Sequence, residues 1–224
     1  MSVDAPPGFR TRGDQPTGTR LLLIRHGEAY CNARGVVGGP LGCGGLTELG
    51  RRQAEALGER LAYSGELREA TALYTSVLPR AIQTAALLAR GLPALTPVED
   101  CDLCELHPGE ADGLTWQELV ERFGAPDWDK DPDQPLAPHA ESWTQFYDRC
   151  VRALTRIVAC HEGELVVLVV HGGVIEQAMK LVEGRAPGDR MRLNTENASM
   201  TEIEFKARRR RLLRYNDRAP LAAE

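Results

Sequence analysis

Two short apolar runs lie far apart in the chain, and each leads to a histidine that is followed by glycine. Residues 21–24 lead through Arg25 to His26, and residues 166–170 lead directly to His171. Continuous apolar runs of this length are typical of strands that are buried on both faces of a parallel sheet. Open α/β folds bind their ligands at the carboxyl edge of such a sheet, so we expect both imidazoles to lie at that edge.

The rest of the chain alternates between strand and helix patterns. Further strands are predicted at residues 72–76, 95–98, 199–205 and 209–215, and helices are predicted to begin near Thr47, Pro79, Thr115, Ser142 and Val174. The helix that begins near Pro79 is predicted to run to residue 90. This order predicts an α/β fold, a three-layer sandwich with a mostly parallel central sheet, helices on both faces and a C-terminal hairpin.

The domain organisation follows from length and composition. At 224 residues the chain is long enough for one good core, and we expect a single domain over residues 20–224. Residues 1–19 mix proline, glycine, threonine and charge, which predicts a flexible N-terminal tail without the apolar core of a secretion signal. The proline-rich residues 125–138 are interpreted as a surface excursion or lid, since the segments on either side are too small to bury separate cores. We expect a cytoplasmic protein.

Charge and cysteine content limit the classes of ligand. The net charge of -5 argues against general binding of nucleic acid or of anionic membranes, and no apolar stretch is long enough to span a bilayer. Cys101 and Cys104 form the one C-x-x-C pattern, but a zinc site would need a second such pair or two histidines at ligand spacing. We therefore expect reduced thiols, no metal and no cofactor. The basic residues between 206 and 214 are interpreted as charges on an edge strand.

A cationic pocket is predicted from the ends of the strands. Arg80 lies at the start of a helix just after the strand at residues 72–76, so it can reach the same edge of the sheet. Arg25, His26, Arg80 and His171 would together offer the charge-assisted hydrogen bonds that a phosphate dianion needs when it leaves water. The sequence therefore favours an anionic ligand, most simply a phosphate.

Several ordered motifs resemble those of the histidine phosphatase superfamily, the group that includes cofactor-dependent phosphoglycerate mutases. They are Leu-x-Arg-His-Gly-Glu at residues 23–28, Asn32, the helix start at residues 46–54, Ser76-x-x-x-Arg80-Ala81-x-Gln83-Thr84-Ala85, and Val-His-Gly-Gly at residues 170–173. The resemblance covers residues 21–221. It implies a single histidine phosphatase-like catalytic domain.

The resemblance also implies roles for individual residues. His26 would accept the phosphoryl group, while Arg25, Arg80 and His171 would hold its oxygens, with no metal needed. The acid that protonates the leaving group would be a glutamate, for which Glu105 is our choice, with Glu110 and Asp112 as rivals and Glu28 as a weaker candidate. Asn32, Gly172 and His107 are the candidate substrate-binding residues.

The expected function is that of a metal-independent phosphomonoesterase acting on a small phosphorylated metabolite. The first alternative is a phosphoglycerate mutase, but mutases of this family carry a longer insertion after the acid than the short stretch between Glu105 and Ser142. A phosphoprotein phosphatase and a non-catalytic phosphate-binding module are further alternatives, the latter disfavoured because both histidines, both arginines and an acid are present. A homodimer is left open.

Overall fold

The computed structural model describes residues 18–189, 191, 193–206 and 209–219. Its strands are β1 (Thr19–Arg25), β2 (Ala70–Thr75), β3 (Val98–Glu99), β4 (Leu165–Val170), β5 (Ser199–Lys206) and β6 (Arg209–Arg218). Its helices are α1 (Tyr30–Arg34), α2 (Glu48–Ser64), α3 (Pro79–Leu87), α4 (Trp116–Phe123), α5 (Trp143–Cys160) and α6 (Gly172–Glu183). No helix among these residues is both long and apolar enough to cross a bilayer.

The strands form one mixed sheet in the order β3-β2-β4-β1-β5-β6. The pairs β1 with β4, β2 with β4 and β2 with β3 are parallel, whereas β5 runs antiparallel to both β1 and β6. This arrangement confirms the predicted α/β fold with a mostly parallel sheet and a C-terminal hairpin. Strand β4 is buried along its whole length, as its unbroken apolar sequence predicts.

Two apolar cores lie on opposite faces of the sheet. Alternate residues of β1 divide between them, because successive side chains of a strand point to opposite faces. Leu21 and Leu23 pack with residues of α5 and α6, whereas Leu22 and Ile24 pack with residues of α2 and α3. The sheet is therefore the middle of three layers.

Two helices end or begin differently from the sequence prediction. Helix α3 ends at Leu87, and a 3-10 turn over Leu88–Gly91 completes the segment that was predicted to be helical to residue 90. Helix α6 begins at Gly172 and not near Val174. Glycine has a low helix propensity. Because α6 begins with two glycines, the sequence favours a later start than the structure shows.

Two strands also differ from the prediction. The segment at residues 95–98 pairs with β2 only at Val98–Glu99, since Pro93 and Pro97 have no N–H to donate to a neighbouring strand. Strand β1 begins at Thr19, inside the predicted tail, where the buried Thr19 hydroxyl donates to the carbonyl oxygen of His161 at 3.0 Å. Residues 1–17 of that tail lie outside the described residues.

Most of the basic residues between 206 and 214 lie on β6, at one edge of the sheet, while Lys206 ends β5 and Arg208 lies outside the described residues. Arg214 donates to Glu66 at 2.6 Å, and Arg211 lies 3.2 Å from the carboxylate of Glu204. These charges are thus partly neutralised within the chain, which agrees with their interpretation as an edge-strand feature.

Candidate active site

Three neighbouring strands end side by side at the carboxyl edge of the sheet. His26 follows β1, Ser76 follows β2 and His171 follows β4. The N–H of His26 donates to the carbonyl oxygen of Val170 at 3.0 Å, and the N–H of Ser76 donates to that of Val169 at 3.1 Å. The strands therefore stay paired up to the site. Both histidines are buried, with ring centroids 5.1 Å apart. The structure therefore brings together the two imidazoles that share this edge in the sequence prediction.

Arg80 lies between the two imidazole rings. It belongs to the first turn of α3, where Pro79 occupies the first helical position, and its side chain is buried. Its Nε donates to Nε2 of His26 at 3.1 Å and to Nδ1 of His171 at 3.2 Å, while Nη1 donates to the carbonyl oxygen of Gly38 at 2.8 Å. A guanidinium stays charged in proteins, so Arg80 places a permanent cation at the centre of the site.

The hydrogen bonds assign one tautomer to each ring. Nδ1 of His26 lies 2.7 Å from the carbonyl oxygen of Gly27, which can only accept, so Nδ1 carries the proton and Nε2 accepts. His171 has the opposite arrangement, because its Nδ1 accepts from Arg80 and its Nε2 lies 2.8 Å from the hydroxyl of Ser76. The lone pair of His26 therefore lies on Nε2, the nitrogen that faces Arg80.

Both imidazoles are neutral at neutral pH. Burial is the largest cause that lowers the pKa of His26 well below its usual value, and Arg80 and Arg25 lower it further. The pKa of His171 is lowered by burial first, then by Arg80 and by His26. Cys31 is a poorer nucleophile here, since burial raises the pKa of its thiol. A neutral imidazole keeps the lone pair that a nitrogen nucleophile needs.

Arg25 supplies a second largely buried cation. Its Nη1 donates to the carbonyl oxygen of Thr195. Its Nε is buried and, within the part of the chain that the structure describes, has no hydrogen-bond partner. Burial lowers the pKa of this guanidinium, and the attraction of Glu105 opposes that effect. An unpaired buried donor costs about 1–3 kcal/mol, so the site favours an anion that Arg25 can reach.

Glu105 is held against the start of α6. Its Oε2 accepts from the N–H of Gly173 at 3.1 Å, and its Oε1 accepts from the N–H of Leu106 at 3.3 Å. The helix dipole favours a carboxylate in this first turn. Arg149 holds the preceding backbone, since it donates to the carbonyl oxygens of Cys104 at 3.0 Å and of Glu105 at 3.2 Å. The acid that we chose from the sequence is therefore in a fixed position.

The rival carboxylates have other partners. Asp112 accepts hydrogen bonds from the N–H groups of Gly39, Leu41 and Gly42, at 2.8 to 2.9 Å, and so holds the loop that these residues form. Glu110 is exposed and lies 3.8 Å from His139. Glu28 accepts from the hydroxyl of Thr47 at 2.7 Å. Among these candidates, Glu105 alone lines the cavity described next.

The site opens into a cavity of about 380 Å³. Its wall includes Arg25, His26, Asn32, Arg80, Glu105 and Glu176, and also all three tryptophans of the chain, Trp116, Trp128 and Trp143. Trp128 stacks on Trp143, with ring centroids 5.0 Å apart, and its Nε1 donates to the carbonyl oxygen of Gln134 at 2.9 Å. The proline-rich segment therefore folds back to form part of the pocket wall.

These tryptophans are not among the site residues that the sequence predicts. Trp128 lies in a polar, proline-rich segment that has no apolar periodicity of its own. Aromatic side chains are only 5% of this chain, and one that stands outside any helix or strand pattern needs an apolar partner elsewhere. That rarity is the signal that could have drawn attention to Trp128.

The candidate substrate-binding residues do not all face the cavity. Asn32 lines it, although its Oδ1 also accepts a backbone hydrogen bond at the start of α1. Gly172 is the first residue of α6 and His107 follows Glu105 closely, yet neither is among the described residues that line the cavity. The ring of His107 instead lies 3.7 Å from Cys101 on one side and 3.7 Å from Glu141 on the other. His107 is therefore omitted from the phosphate site.

Comparisons with known proteins show the family of this chain. The family model of the histidine phosphatase superfamily (branch 1) matches residues 21–218. A metal-independent phosphoserine phosphatase of Arabidopsis thaliana is 32% identical over 213 residues, which are 91% of this chain and 85% of that protein. Phosphoglycerate mutase-like protein 4 of the same plant is 36% identical over 159 residues, which are 69% of this chain and 67% of that protein.

A solved structure has the same fold as this chain. A mycobacterial glucosyl-3-phosphoglycerate phosphatase in complex with VO3 superposes with a TM-score of 0.74 at 29% sequence identity. The match covers 88% of this chain and 99% of that chain. The described sheet, its covering helices and its hairpin thus belong to one known architecture.

Proposed function

The chain belongs to the histidine phosphatase superfamily and is a phosphatase of that type, and on this premise we propose that it is a metal-independent phosphomonoesterase for a small phosphorylated metabolite. The reaction proceeds through a phosphohistidine on His26. The observation that carries this proposal is the Arg80 guanidinium between two neutral imidazoles, one of which directs its lone pair at the site.

Nε2 of His26 is the nucleophile. It forms a bond to phosphorus while the bond between phosphorus and the ester oxygen breaks. The hydrogen bond from Nδ1 to Gly27 holds the ring and disperses the positive charge that develops on it. Glu105 acts as the general acid and gives a proton to the leaving oxygen.

Water completes the cycle. Glu105, now a carboxylate, takes a proton from a water molecule whose oxygen attacks phosphorus, and the bond to Nε2 of His26 breaks. Inorganic phosphate then leaves, and both residues return to their first state. The same cationic groups face the transferred phosphoryl group in both steps, so one pocket serves both displacements.

The charge for this chemistry comes from side chains. Arg25 and Arg80 supply two positive charges, and the unpartnered Nε of Arg25 is a donor for a phosphate oxygen. A phosphate dianion beside His171 raises the pKa of that ring by attraction, which allows Nδ1 to donate as well. These groups replace the divalent ions that many phosphoryl-transfer enzymes use.

The pocket favours a small substrate over a phosphoprotein. A volume of about 380 Å³ lies in the range that is typical of small-molecule sites. The tryptophans offer apolar surface to the leaving group, and Glu176 adds a carboxylate to the same wall. Similarity to a phosphoserine phosphatase supports a small phosphorylated metabolite as the substrate class. A homodimer and a cytoplasmic location stay predictions, which gel filtration and cell fractionation test.

Phosphate release from an aryl phosphate in the presence of a chelator tests the proposal. The wild-type chain should turn over, His26→Ala should not, and His139→Ala should match the wild type because His139 is an exposed residue outside the cavity. Equal activity of His26→Ala and the wild type would refute the proposal. Interconversion of phosphoglycerates without free phosphate would favour the mutase instead.

A further inference from the structure

We propose that Cys101, Cys104 and His107 form a binding site for a zinc ion. The two sulfur atoms and one ring nitrogen of these residues all lie within 4.8 Å of one another. The sequence spacing is C-x-x-C-x-x-H, in which one histidine stands in place of the second cysteine pair or the two histidines that were expected for a zinc site. Two thiolates and an imidazole form a soft, nitrogen-containing set that suits zinc.

The distances match a tetrahedral ion. Zinc bonds to sulfur at about 2.3 Å and to nitrogen at about 2.0–2.1 Å, which at a tetrahedral angle separates the two ligand atoms by about 3.6 Å. Sγ of Cys101 lies 3.7 Å from Nε2 of His107. This pair is therefore already spaced for the ion, and the other two pairs of ligand atoms lie within 4.8 Å.

The surrounding groups are those that orient metal ligands. A histidine that binds zinc through one nitrogen usually directs the other to a carboxylate. Nδ1 of His107 lies 3.7 Å from Oε1 of Glu141, on the side of the ring away from Cys101. The hydroxyl of Ser76 donates to Sγ of Cys104 at 3.2 Å, which suits a thiolate ligand.

Arg149 holds the backbone of the segment that carries the ligands. Nη1 of Arg149 donates to the carbonyl oxygens of Asp102 at 2.9 Å and of Cys104 at 3.0 Å. The guanidinium is itself paired with Glu141 at 2.7 Å. This arrangement holds the 3-10 turn Cys101–Leu103 in place and puts a positive charge near two prospective thiolates.

The ion has a route to the site and a balanced charge. Cys101 is exposed and the side chain of His107 is 40% exposed, whereas Cys104 is buried. Two thiols lose their protons to solvent when the ion binds, so the charge of the ion is neutralised by the two thiolates. Three protein ligands leave the fourth tetrahedral position to water.

The zinc site is separate from the phosphate site but connected to it. None of its three ligands lines the cavity. Cys104 precedes Glu105, and through the hydroxyl of Ser76 it is linked to Nε2 of His171. A bound ion would therefore hold the segment that positions Glu105, while the displacement chemistry needs no metal. The inference goes beyond the proposed function, and either can fail without the other.

Cobalt is the probe, because Co²⁺ bound to thiolates absorbs light by charge transfer from sulfur to the metal. We expect the full-length, reduced and chelator-treated chain to bind one Co²⁺ with a sulfur-to-metal charge-transfer band that equimolar zinc abolishes. Cys101→Ser should lose the band, and His107→Ala should weaken binding at least about 10-fold, since even loss of an outer partner costs about 10- to 100-fold. Cys160→Ser is the matched control, because Cys160 is also an exposed free cysteine.

Three outcomes would overturn the inference. The first is the absence of a thiolate band in the wild-type chain, and the second is a loss of the band in Cys160→Ser equal to that in Cys101→Ser. The third is oxidation of Cys101 and Cys104 to a disulfide with no metal bound in the reduced form. Both Cys101 and His107 are partly or fully exposed, so their variants should fold, and circular dichroism checks that they do. Phosphatase activity of the same samples keeps a failure here distinct from a failure of the proposed function.

Discussion

Gly173 has no side chain at the place where the carboxylate of Glu105 lies. A Cβ added to Gly173 would stand 2.1 Å from Oε1 of Glu105, far closer than two such atoms can approach. The N–H of the same glycine donates to Oε2 at 3.1 Å. The bare backbone at the start of α6 is thus what allows the acid to be held beside the phosphate site.

Gly173→Ala should therefore displace Glu105 and lower kcat, by on the order of the 100-fold that general acid catalysis is worth. In a variant that already lacks the carboxylate, Glu105→Ala, the same change should cost less, because only the 2.9 Å approach of the added Cβ to Cε1 of Phe146 is left. A double-mutant cycle on kcat measures this coupling. Independent, additive losses would contradict the relationship.

Glu105→Gln tests the acid directly. The variant should lose about 100- to 10,000-fold in kcat/KM for alkyl phosphates, whose leaving oxygen needs a proton. The loss in kcat/KM, which reports phosphorylation of His26, should be much smaller for an aryl phosphate with an acidic leaving group, since that oxygen departs without protonation. Glu110→Gln, which changes an exposed carboxylate outside the cavity, should leave both rates unchanged. Equal losses for both substrate types would argue that Glu105 has another role.

Much of this arrangement could be predicted from the sequence. The positions of His26 and His171 follow from strand patterns, because the apolar runs identify buried strands and fix which residues come at their ends. Arg80 follows from its place after the strand β2. These predictions need only the order of elements along the chain.

Other features depend on how distant segments pack. Nothing local reveals that Trp128 folds back onto Trp143, or that Thr195 offers its carbonyl oxygen to Arg25. His107 was expected beside the substrate from its closeness to Glu105 in sequence, yet its ring turns towards Cys101. In each case the side chain's direction is set by tertiary contacts and not by its neighbours in the chain.

Trp128→Ala should weaken substrate binding. The indole is part of the pocket wall, and its stacking on Trp143 holds the segment at residues 125–138 in place. Loss of the ring should raise KM about 10-fold, equivalent to about 1.4 kcal/mol of stacking and apolar contact, with a smaller change in kcat. Tyr63→Ala removes an aromatic side chain that is 93% exposed, and steady-state kinetics should not distinguish it from the wild type. A fall in kcat alone for Trp128→Ala would contradict this role.

The stability of the phosphate-free protein should fall as the pH drops below about 6.5. Burial lowers the pKa of His26 and of His171 in the folded state, so the unfolded chain binds protons more readily below the ordinary histidine value. Each histidine should contribute a loss of about 1.4 kcal/mol per pH unit until the pH reaches its folded-state pKa. Above pH 7 both histidines are neutral in the folded and in the unfolded chain, so this contribution disappears.

Denaturant unfolding between pH 5 and pH 8 measures that slope. His171→Asn, which removes one of the two fully buried imidazoles, should reduce it, and the slope that remains comes from His26 and from His107, whose pKa is also lowered by burial. His139→Gln changes an exposed histidine and should leave it unaltered. A slope that is the same in His171→Asn and in the wild type would show that the buried imidazole is not the cause.

Trapping the covalent intermediate is the decisive test of His26 as the nucleophile. Rapid mixing with a substrate labelled on its phosphorus, followed by alkaline quenching and peptide mapping, should place the label on His26 as an acid-labile, alkali-stable phosphohistidine. The label should disappear in His26→Ala and accumulate when breakdown is slowed in Glu105→Gln with an aryl phosphate. Label on any other residue, or full turnover without a labelled protein, would contradict the phosphohistidine on His26.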